Sequence, residues 1–366
     1  MVAGPLLVAH AVGYRMDLKT LAVEKTGGIF IKSKTPRLSV FLDGAFMKET
    51  SFISGSTLLT EINPHPHLIR LEKQNHHPWF KTVRVEPTKV VELRHIILVP
   101  KPVPIATSTA FSPGAPNDPS FGALLLALAP QTPKSLQTPA PKLPPPFRLD
   151  KDHTLVAAAA GNIRPLASHV HSIASFDDAL FFVDKNGFFA RLDLITEEVL
   201  TLGRPGFYLD QGPLQFAKTP AGELTILDPS GGLFILDSAN TLVAAASGVN
   251  AVHFDLEGEK IALAKTQSVE VLWRKDNPQQ PFQRKGDHEI IMHTDTKIRD
   301  VRWFLGDNAH LLIRTNEGIF FTELDGRGGR NTVELVSGPT DELITTPKLP
   351  HTVLFKKRKE MYQIEL

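Results

Sequence analysis

A hairpin that recurs five times between residues 179 and 365 constrains the fold more than any other feature of the chain. Each hairpin has two short apolar segments joined by a polar turn. The second segments begin at Phe188, Leu233, Val269, Ile319 and Met361. Their mean spacing is roughly forty-three residues, which is the period of repeat folds that contain four strands per repeat. The second half of the chain is therefore predicted to be a repeated all-β array.

A short apolar strand precedes each hairpin, at His171–Ala174, Leu214–Phe216, Ala251–Phe254, Val301–Phe304 and Glu342–Ile344. This order is clearest at residues 254–258 (FDLEG) and 301–305 (VRWFL), and it resembles WD40-like and TolB-type β-propellers. The resemblance lies in the spacing of the repeats and not in their residues, because no repeat carries the Gly-His and Trp-Asp signature intact. It implies an irregular propeller of five or six blades over residues 149–366, with Leu155–Ala158 and Ile163–Leu166 as candidate closing strands.

Residues 26–99 show the alternation of a small antiparallel β-sandwich. Short segments in which every second residue is apolar are separated by turn residues, so each strand is expected to bury one face. The clearest apolar pairs are Val40 and Leu42, Ile69 and Leu71, and Val83 and Val85. Asp43 and Gly44 are typical of a tight hairpin turn in which Gly44 has a positive φ.

The same segment resembles the PEGA domain, a small β-sandwich of envelope and surface proteins. The resemblance is carried by Gly28, Ile29, Ile31, Ser33, Pro36, Val40, Leu42, Asp43, Gly44, Thr50, His67, Trp79, Val83 and Val85. It departs from the family pattern after Pro36, where Arg37 and Leu38 replace the usual Gly and small residue. It covers about a fifth of the chain, and it implies a cell-envelope setting.

Residues 100–148 are predicted to form a Pro-rich linker or strap. Thirteen prolines lie between Pro100 and Pro146, and such a segment has little apolar periodicity and few backbone donors. Phe121–Ala129 is an apolar exception that is too short to cross a bilayer. It is interpreted as a docked helix or strand, with a membrane-contacting segment as the alternative.

Residues 1–25 are interpreted as the remnant of a membrane anchor followed by a juxtamembrane segment. The apolar run Val2–Val12 is shorter than the roughly twenty residues that span a bilayer as a helix. Tyr14 and Arg15 suit the membrane interface, and the sequence around them resembles the juxtamembrane segment of PEGA-type proteins. The prediction is a membrane anchor truncated at Met1, with the rest of the chain on the extracytoplasmic side of the cell membrane. The alternative is that these residues form a first strand or a frayed terminus.

Charge and cysteine content exclude several kinds of partner and site. The chain has 40 basic and 39 acidic residues and a formal net charge of +1, so nothing indicates recruitment of nucleic acid. It has no cysteine, which excludes disulfides, thiolate nucleophiles and Cys-based metal sites.

The remaining motifs for chemistry are weak. His65, His67, His76 and His77 crowd around Trp79, but no metal-binding spacing occurs among them, so turn and surface histidines are expected. Residues 53–57 (ISGST) lack the context of a nucleophilic serine. The Gly-rich segment Asp325–Arg330 lacks the Lys of a phosphate-binding loop and is interpreted as a mobile connection between strands. Asp177, Asp178, Glu197 and Glu198 lie at predicted turns, and Lys356–Lys359 is interpreted as a hairpin turn.

Two classes of function remain. The first is a non-catalytic, membrane-anchored envelope protein that binds or scaffolds another protein or a surface glycan. The alternative is a propeller-type hydrolase with carboxylates at the channel mouth. No polar position recurs in the repeats that would supply a catalytic centre at the channel mouth. The sequence therefore predicts a binding protein that is not an enzyme. It predicts no catalytic residues, no metal and no cofactor.

Overall fold

The computed structural model describes residues 14–16, 23–103, 105–107, 143–159, 162–237, 239–358 and 360–366. Within these ranges the chain forms strands and turns, and no helix. The predicted all-β class is confirmed.

The N-terminal part contains nine strands. They are β1 (Tyr14–Met16), β2 (Val23–Lys25), β3 (Gly27–Ser33), β4 (Ser39–Leu42), β5 (Ala45–Glu49), β6 (Ser56–Ile62), β7 (Pro66–Glu72), β8 (Trp79–Arg84) and β9 (Val90–Ile96). The first two strands pair with each other. The other seven form two sheets, with strand orders β6-β3-β9 and β5-β4-β7-β8.

The two larger sheets form the predicted sandwich. Their inward side chains make one apolar core, which includes Ile29 and Ile31 of β3, Leu93 of β9, and Ile69 and Leu71 of β7. Alternation along each strand sends the remaining side chains outward. Strands β3 and β9 run parallel, which corrects the expectation that the sandwich is antiparallel throughout; the two strands are distant in sequence.

The hairpin between β4 and β5 has the turn that the sequence predicts. Asp43 and Gly44 both have positive φ values, 50° and 87°, and Leu42 pairs with Ala45 across the turn. Two consecutive residues with φ above zero match the twist of the flanking strands. The predicted tight turn is confirmed.

The second part of the chain contains twenty-three strands among the described residues. They are β10 (Ile105–Thr107), β11 (Phe147–Leu149), β12 (Leu155–Ala159), β13 (Asn162–Ala167), β14 (Val170–Phe176), β15 (Ala179–Asp184), β16 (Phe189–Asp193), β17 (Val199–Gly203), β18 (Gln215–Lys218), β19 (Leu224–Leu227), β20 (Leu233–Leu236), β21 (Leu242–Ala246), β22 (Ala251–Phe254), β23 (Lys260–Ala264), β24 (Ser268–Trp273), β25 (His288–His293), β26 (Ile298–Trp303), β27 (His310–Thr315), β28 (Gly318–Glu323), β29 (Thr332–Ser337), β30 (Glu342–Ile344), β31 (Thr352–Lys357) and β32 (Glu360–Glu365).

These strands form six sheets of the kind found in propeller blades. Four of them contain four consecutive strands each, with orders β14-β15-β16-β17, β18-β19-β20-β21, β22-β23-β24-β25 and β26-β27-β28-β29. The first blade, β11-β12-β13, has three strands, and the last has the order β10-β32-β31-β30. All five predicted hairpins are present as the two middle strands of a blade.

The structure revises the assignment of two segments. Leu155–Ala158 and Ile163–Leu166, predicted as closing strands, lie in β12 and β13 of the first blade. The strand that completes the last blade is instead β10, whose Ile105 pairs with Ile364 of β32. Strand β10 and the first two residues of β11 lie inside the range predicted as linker, 100–148.

Aspartates recur at the hairpin turns of the blades and stabilise them. In each of four turns one Oδ1 atom accepts hydrogen bonds from backbone N–H groups two and four residues later, at Asp150, Asp184, Asp228 and Asp237. An acidic side chain that caps its own turn in this way has a structural role. The pattern explains why carboxylates cluster at these turns.

The chain divides into two compact units. Unit 1 comprises residues 1–130, 273–291 and 302–366, and unit 2 comprises residues 131–272 and 292–301. The sandwich and β27 to β32 belong to unit 1, whereas β11 to β23 belong to unit 2. The predicted domain boundaries at residues 25, 99 and 148 stay predictions.

Candidate ligand-binding cleft

A short loop of unit 1 between β5 and β6 is held in one conformation by its own backbone. The Ser51 N–H donates to the Ser56 carbonyl at 3.0 Å, and the Gly55 N–H donates to the Ser51 carbonyl at 2.9 Å. The Ser51 hydroxyl oxygen accepts hydrogen bonds from the Ile53 and Ser54 amides, both at 3.3 Å. The loop is therefore a defined turn that points Phe52 and Ile53 outward.

Gly55 attaches this loop to the end of β3. The Ser33 N–H donates to the Gly55 carbonyl at 3.0 Å. Gly55 has a φ of +64°, and a Cβ atom at this position would lie 2.2 Å from the Ser33 carbonyl oxygen. Only glycine fits both the backbone conformation and this close approach.

A β-bulge brings basic side chains together beside the loop. Ile31 pairs with Leu93 and Ser33 pairs with Ile96, so Arg94 and His95 both lie opposite Lys32. His95 has a φ of 58°, as expected where a bulge changes the direction of a side chain. Lys32 lies between the buried residues Ile31 and Ser33, and Arg94 follows the buried Leu93, which places both on the outer face of the β6-β3-β9 sheet.

The basic side chains beside the loop differ in their contacts with neighbouring residues. Arg94 Nε donates to Glu92 Oε2 at 2.7 Å, and this bond holds the pKa of Glu92 below its ordinary value although burial acts in the opposite direction. Arg94 also lies over the Phe30 ring, with its guanidinium carbon 5.1 Å from the ring centroid. Lys34 Nζ lies 3.4 Å from the Gly306 carbonyl oxygen, and Lys32 is exposed.

Asp307 contributes the acidic group of this site, and its carboxylate is already engaged by His310. The His310 Nδ1 atom lies 2.7 Å from Asp307 Oδ2, and both side chains are almost fully buried. Burial alone would raise the pKa of Asp307, but the charge and the hydrogen bond of His310 and the Ala309 amide outweigh burial and lower it. Asp307 therefore stays ionised and holds its charge in an internal pair.

Together these groups line a half-open cleft of about 600 Å³. Lys32, Lys34 and Arg94 supply three positive charges to its wall, and the Asp307 carboxylate is the negative charge among its lining residues. Phe52 and Ile53 form part of the rim. A concave site of this volume with several convergent cations is suited to an acidic ligand group.

The Asp307–His310 pair predicts a loss of stability in acid. A carboxyl whose folded pKa lies below its ordinary value of about 4 is stabilising above that value, and the contribution is lost as the pH falls through the folded pKa. We expect the free energy of unfolding, measured by urea denaturation, to decrease as the pH falls below about 4. The decrease should be smaller in Asp307→Asn, and an equal decrease in both proteins would contradict this assignment.

The histidines that the sequence analysis considered as metal ligands are used in other ways. His67 is buried, with Nδ1 2.6 Å from Asp43 Oδ2 and Nε2 2.9 Å from the Asn63 carbonyl oxygen. The His65 ring stacks on it at 3.9 Å between centroids, and His76 Nδ1 faces the Gln74 carbonyl oxygen. No group of three potential metal-binding side chains occurs within the described ranges.

The Gly-rich segment Asp325–Arg330 is fixed, which corrects its interpretation as a mobile connection. Lys81 Nζ donates to Glu323 Oε1 and to the Asp325 carbonyl, both at 2.6 Å, and to the Gly329 carbonyl at 2.9 Å. Lys81 is fully buried and Glu323 is 8 % exposed. We refer to this arrangement, which joins β8 to the segment, as the Lys81 clamp.

Three further contacts strengthen the Lys81 clamp. Trp79 Nε1 donates to Glu323 Oε2 at 2.9 Å. Arg327 pairs with Asp325 inside the Gly-rich segment and donates to the Glu92 carbonyl of the sandwich at 2.7 Å. These bonds hold the segment on the sandwich, so it has a structural role.

The acidic and basic runs lie at turns or strand ends. Asp177 pairs with Lys218, Glu197 pairs with Arg164, and Asp178 lies 3.8 Å from an Arg191 nitrogen. In the basic run, Lys356 and Lys357 belong to β31, Arg358 has a positive φ, and Lys359 lies outside the described residues. These positions agree with solvated charge at hairpins.

Several sequence predictions concern residues that the structure does not describe. Val2–Val12 and Phe121–Ala129 both lie outside the described ranges. Among the residues that are described, no helix has the length and apolar character needed to cross a membrane.

Sequence reasoning did not identify the cleft. Lys32 occupies an outward position of a strand that the alternation predicts, and Lys34 follows the end of that strand. Arg94 and His95 lie on β9, which was not recognised as a strand. The useful signal would have been the polar positions that alternate with Val91, Leu93 and Ile96 at the end of the sandwich segment.

No protein-family model matches the chain, and no curated protein matches it. Solved structures similar to it include YCF48 from Cyanidioschyzon merolae, with 11 % identity, a TM-score of 0.35, and coverage of 60 % of this chain and 76 % of that chain. A gluconolactonase from Xanthomonas campestris has 12 % identity, a TM-score of 0.31, and coverage of 58 % and 78 %. An extracellular domain from B. thetaiotaomicron has 10 % identity, a TM-score of 0.35, and coverage of 81 % and 36 %.

These similarities concern a β-propeller-like all-β fold and show no PEGA domain. They also correct one expectation, because a gluconolactonase is an enzyme: the prediction that this chain is not an enzyme is contradicted. The absence of a recognisable catalytic motif in a propeller-like sequence is thus insufficient to exclude catalysis. The chain has the all-β fold of these propeller-like proteins.

Proposed function

We propose that the chain is a binding protein of the cell envelope whose cationic cleft takes up acidic groups of a surface glycan or of a protein. The observation that carries the proposal is the convergence of Lys32, Lys34 and Arg94 on one cleft of about 600 Å³. The bulge between β3 and β9 and the bonds around Gly55 fix the walls before any ligand arrives. A preformed wall reduces the entropy that binding must overcome.

Charge distribution supports a local site in preference to general attraction. The net charge of the chain is only +1, so there is little long-range attraction for polyanions. Inside the cleft, however, the one lining carboxylate is engaged by His310, and Arg94 is paired with Glu92, so Lys32 and Lys34 are the cations offered to the ligand. Binding should therefore depend on these few residues.

The proposed envelope location is supported by the PEGA-like residues of the sandwich and by the apolar run Val2–Val12. We propose that this run belongs to a single-pass anchor. The sandwich would then lie close to the extracytoplasmic surface of the membrane. This location makes surface glycans and envelope proteins available as partners.

Binding of an acidic oligosaccharide tests the cleft. We expect oligogalacturonate to bind the full chain and maltoheptaose, which is neutral, to bind much more weakly. Lys32→Gln with Lys34→Gln should weaken oligogalacturonate binding by up to about thirtyfold, because each of the two exposed charge pairs contributes up to about 1 kcal/mol. Isothermal titration calorimetry measures the affinities, and an assay for new reducing ends in the same samples tests hydrolysis of the probe.

The control changes two lysines that lie far along the chain from the cleft. Lys151 and Lys185 are exposed and sit in hairpin turns of unit 2, so Lys151→Gln with Lys185→Gln produces the same change of net charge. An acidic peptide of glutamates, used as a second probe, distinguishes a protein ligand from a glycan. Equal losses in the two double variants would show general charge attraction and contradict a cleft site.

A further inference from the structure

The loop beside the cleft exposes two large apolar side chains at its tip. Ile53 is 93 % exposed and Phe52 is 64 % exposed. The hydrogen bonds of Ser51 and Gly55 hold both residues in this position. The fold therefore holds the tip in this exposed position, and the exposure of its apolar surface to water costs free energy.

Basic side chains surround this tip. The Arg37 guanidinium carbon lies 4.3 Å from the Phe52 ring centroid, and Arg37 is itself exposed. Lys32, Lys34 and Arg94 line the cleft whose rim includes Phe52 and Ile53. An apolar tip surrounded by cations is complementary to a surface that has anionic groups on the outside and an apolar layer beneath them.

The size of the apolar tip decides what kind of surface it fits. A stable protein partner buries about 800 Å² on each side, which is far more than two side chains provide. Shallow insertion at a bilayer interface requires only a small apolar wedge, with cations that attract anionic lipid headgroups. The observations therefore favour a membrane over a second protein.

We infer that the loop Ser51–Gly55 docks reversibly on an anionic membrane surface, with Phe52 and Ile53 inserted between headgroups. Arg37, Lys32, Lys34 and Arg94 contact the lipid phosphates. This inference rests on the proposed function in one respect, because it uses cations of the same cleft. It adds the apolar tip, which an acidic oligosaccharide in solution does not need.

Vesicle co-sedimentation of the full chain tests the inference. We expect binding to vesicles of phosphatidylcholine mixed with phosphatidylglycerol, weak binding to phosphatidylcholine alone, and a decrease as salt screens the headgroups. Phe52→Ser with Ile53→Ser should reduce vesicle binding by at least about tenfold, because it removes the inserted apolar surface. The oligogalacturonate affinity of the same variant, measured in parallel, shows whether the rim of the cleft has been altered.

The matched control places the same substitutions at an equally exposed Phe and Ile elsewhere. Phe282 is 69 % exposed and Ile195 is 83 % exposed, so Phe282→Ser with Ile195→Ser should leave vesicle binding unchanged. Thermal melting of both double variants confirms that they are folded.

Four outcomes would overturn the inference: no binding of the unaltered chain to either kind of vesicle, equal binding to both kinds, full binding by the Phe52 and Ile53 variant, or an equal loss in the control. Loss of both vesicle and oligogalacturonate binding in the loop variant would show that the tip shapes the cleft, and would also overturn it. Failure of oligogalacturonate binding with vesicle binding intact would contradict the proposed function and leave membrane docking supported.

Discussion

Replacement of Lys81 by alanine is expected to lower the free energy of unfolding by about 3–5 kcal/mol, because it leaves the Glu323 carboxylate buried without its cation. Glu323 is 8 % exposed and Lys81 is fully buried, so water cannot replace the lost charge. The Asp325 and Gly329 carbonyls would lose the same donor. Urea denaturation followed by tryptophan fluorescence is a suitable measurement, since Trp79 donates a hydrogen bond to Glu323.

A second lysine of the sandwich provides the control. Lys89 pairs with Glu86 at 2.6 Å, but both side chains are more than half exposed. Exposed ion pairs contribute little to stability, so Lys89→Ala should leave the denaturation midpoint nearly unchanged. A Lys81→Ala protein as stable as Lys89→Ala would show that the Lys81 clamp does not stabilise unit 1.

Replacement of Gly55 by valine should have the next largest effect, a destabilisation of about 2–5 kcal/mol from backbone strain and overpacking together. A β-branched residue is strongly disfavoured at a φ of +64°, and its Cβ would lie 2.2 Å from the Ser33 carbonyl oxygen. Because Gly55 attaches the loop to β3, affinity for oligogalacturonate should fall as well. Thermal unfolding and calorimetric titration measure the two effects.

A substitution at Gly44 separates the effect of backbone strain from that of overpacking. It also has a positive φ, of +87°, but a Cβ added there would meet nothing within 4 Å. Gly44→Val therefore tests backbone strain alone and should cost about 1 kcal/mol or more. The prediction for Gly55 is wrong if the two variants have the same melting temperature.

The middle strands of each blade could be predicted from the sequence because they are buried on both faces. In β19 and β20 every residue is buried, and such runs stand out between polar turns. The outer strands lack this signal: β17 is exposed at four of its five positions. Strand β10 could not be predicted, since it lies in a Pro-rich stretch and is defined by pairing with residues at the far end of the chain.

The candidate site was harder to predict than the fold for the same reason. Lys32 faces Arg94 only because β3 and β9 pair in parallel and a bulge shifts their register. The Lys81 clamp likewise depends on a contact between β8 and a segment more than two hundred residues later. Local alternation predicts which side chains point outward, but it carries no information on which distant strand lies beside them.

The pairing of β10 with β32 has a consequence for how the chain folds as it is synthesised. Ile105 reaches the ribosomal exit early, whereas its partner Ile364 follows after every other blade strand has been made. Contacts between such distant segments form slowly, because loop closure must precede any gain from pairing. Until Glu360–Glu365 emerges, β10 has been made but lacks the strand with which it pairs. An unpaired strand edge of this kind is where a nascent chain can associate wrongly with another chain.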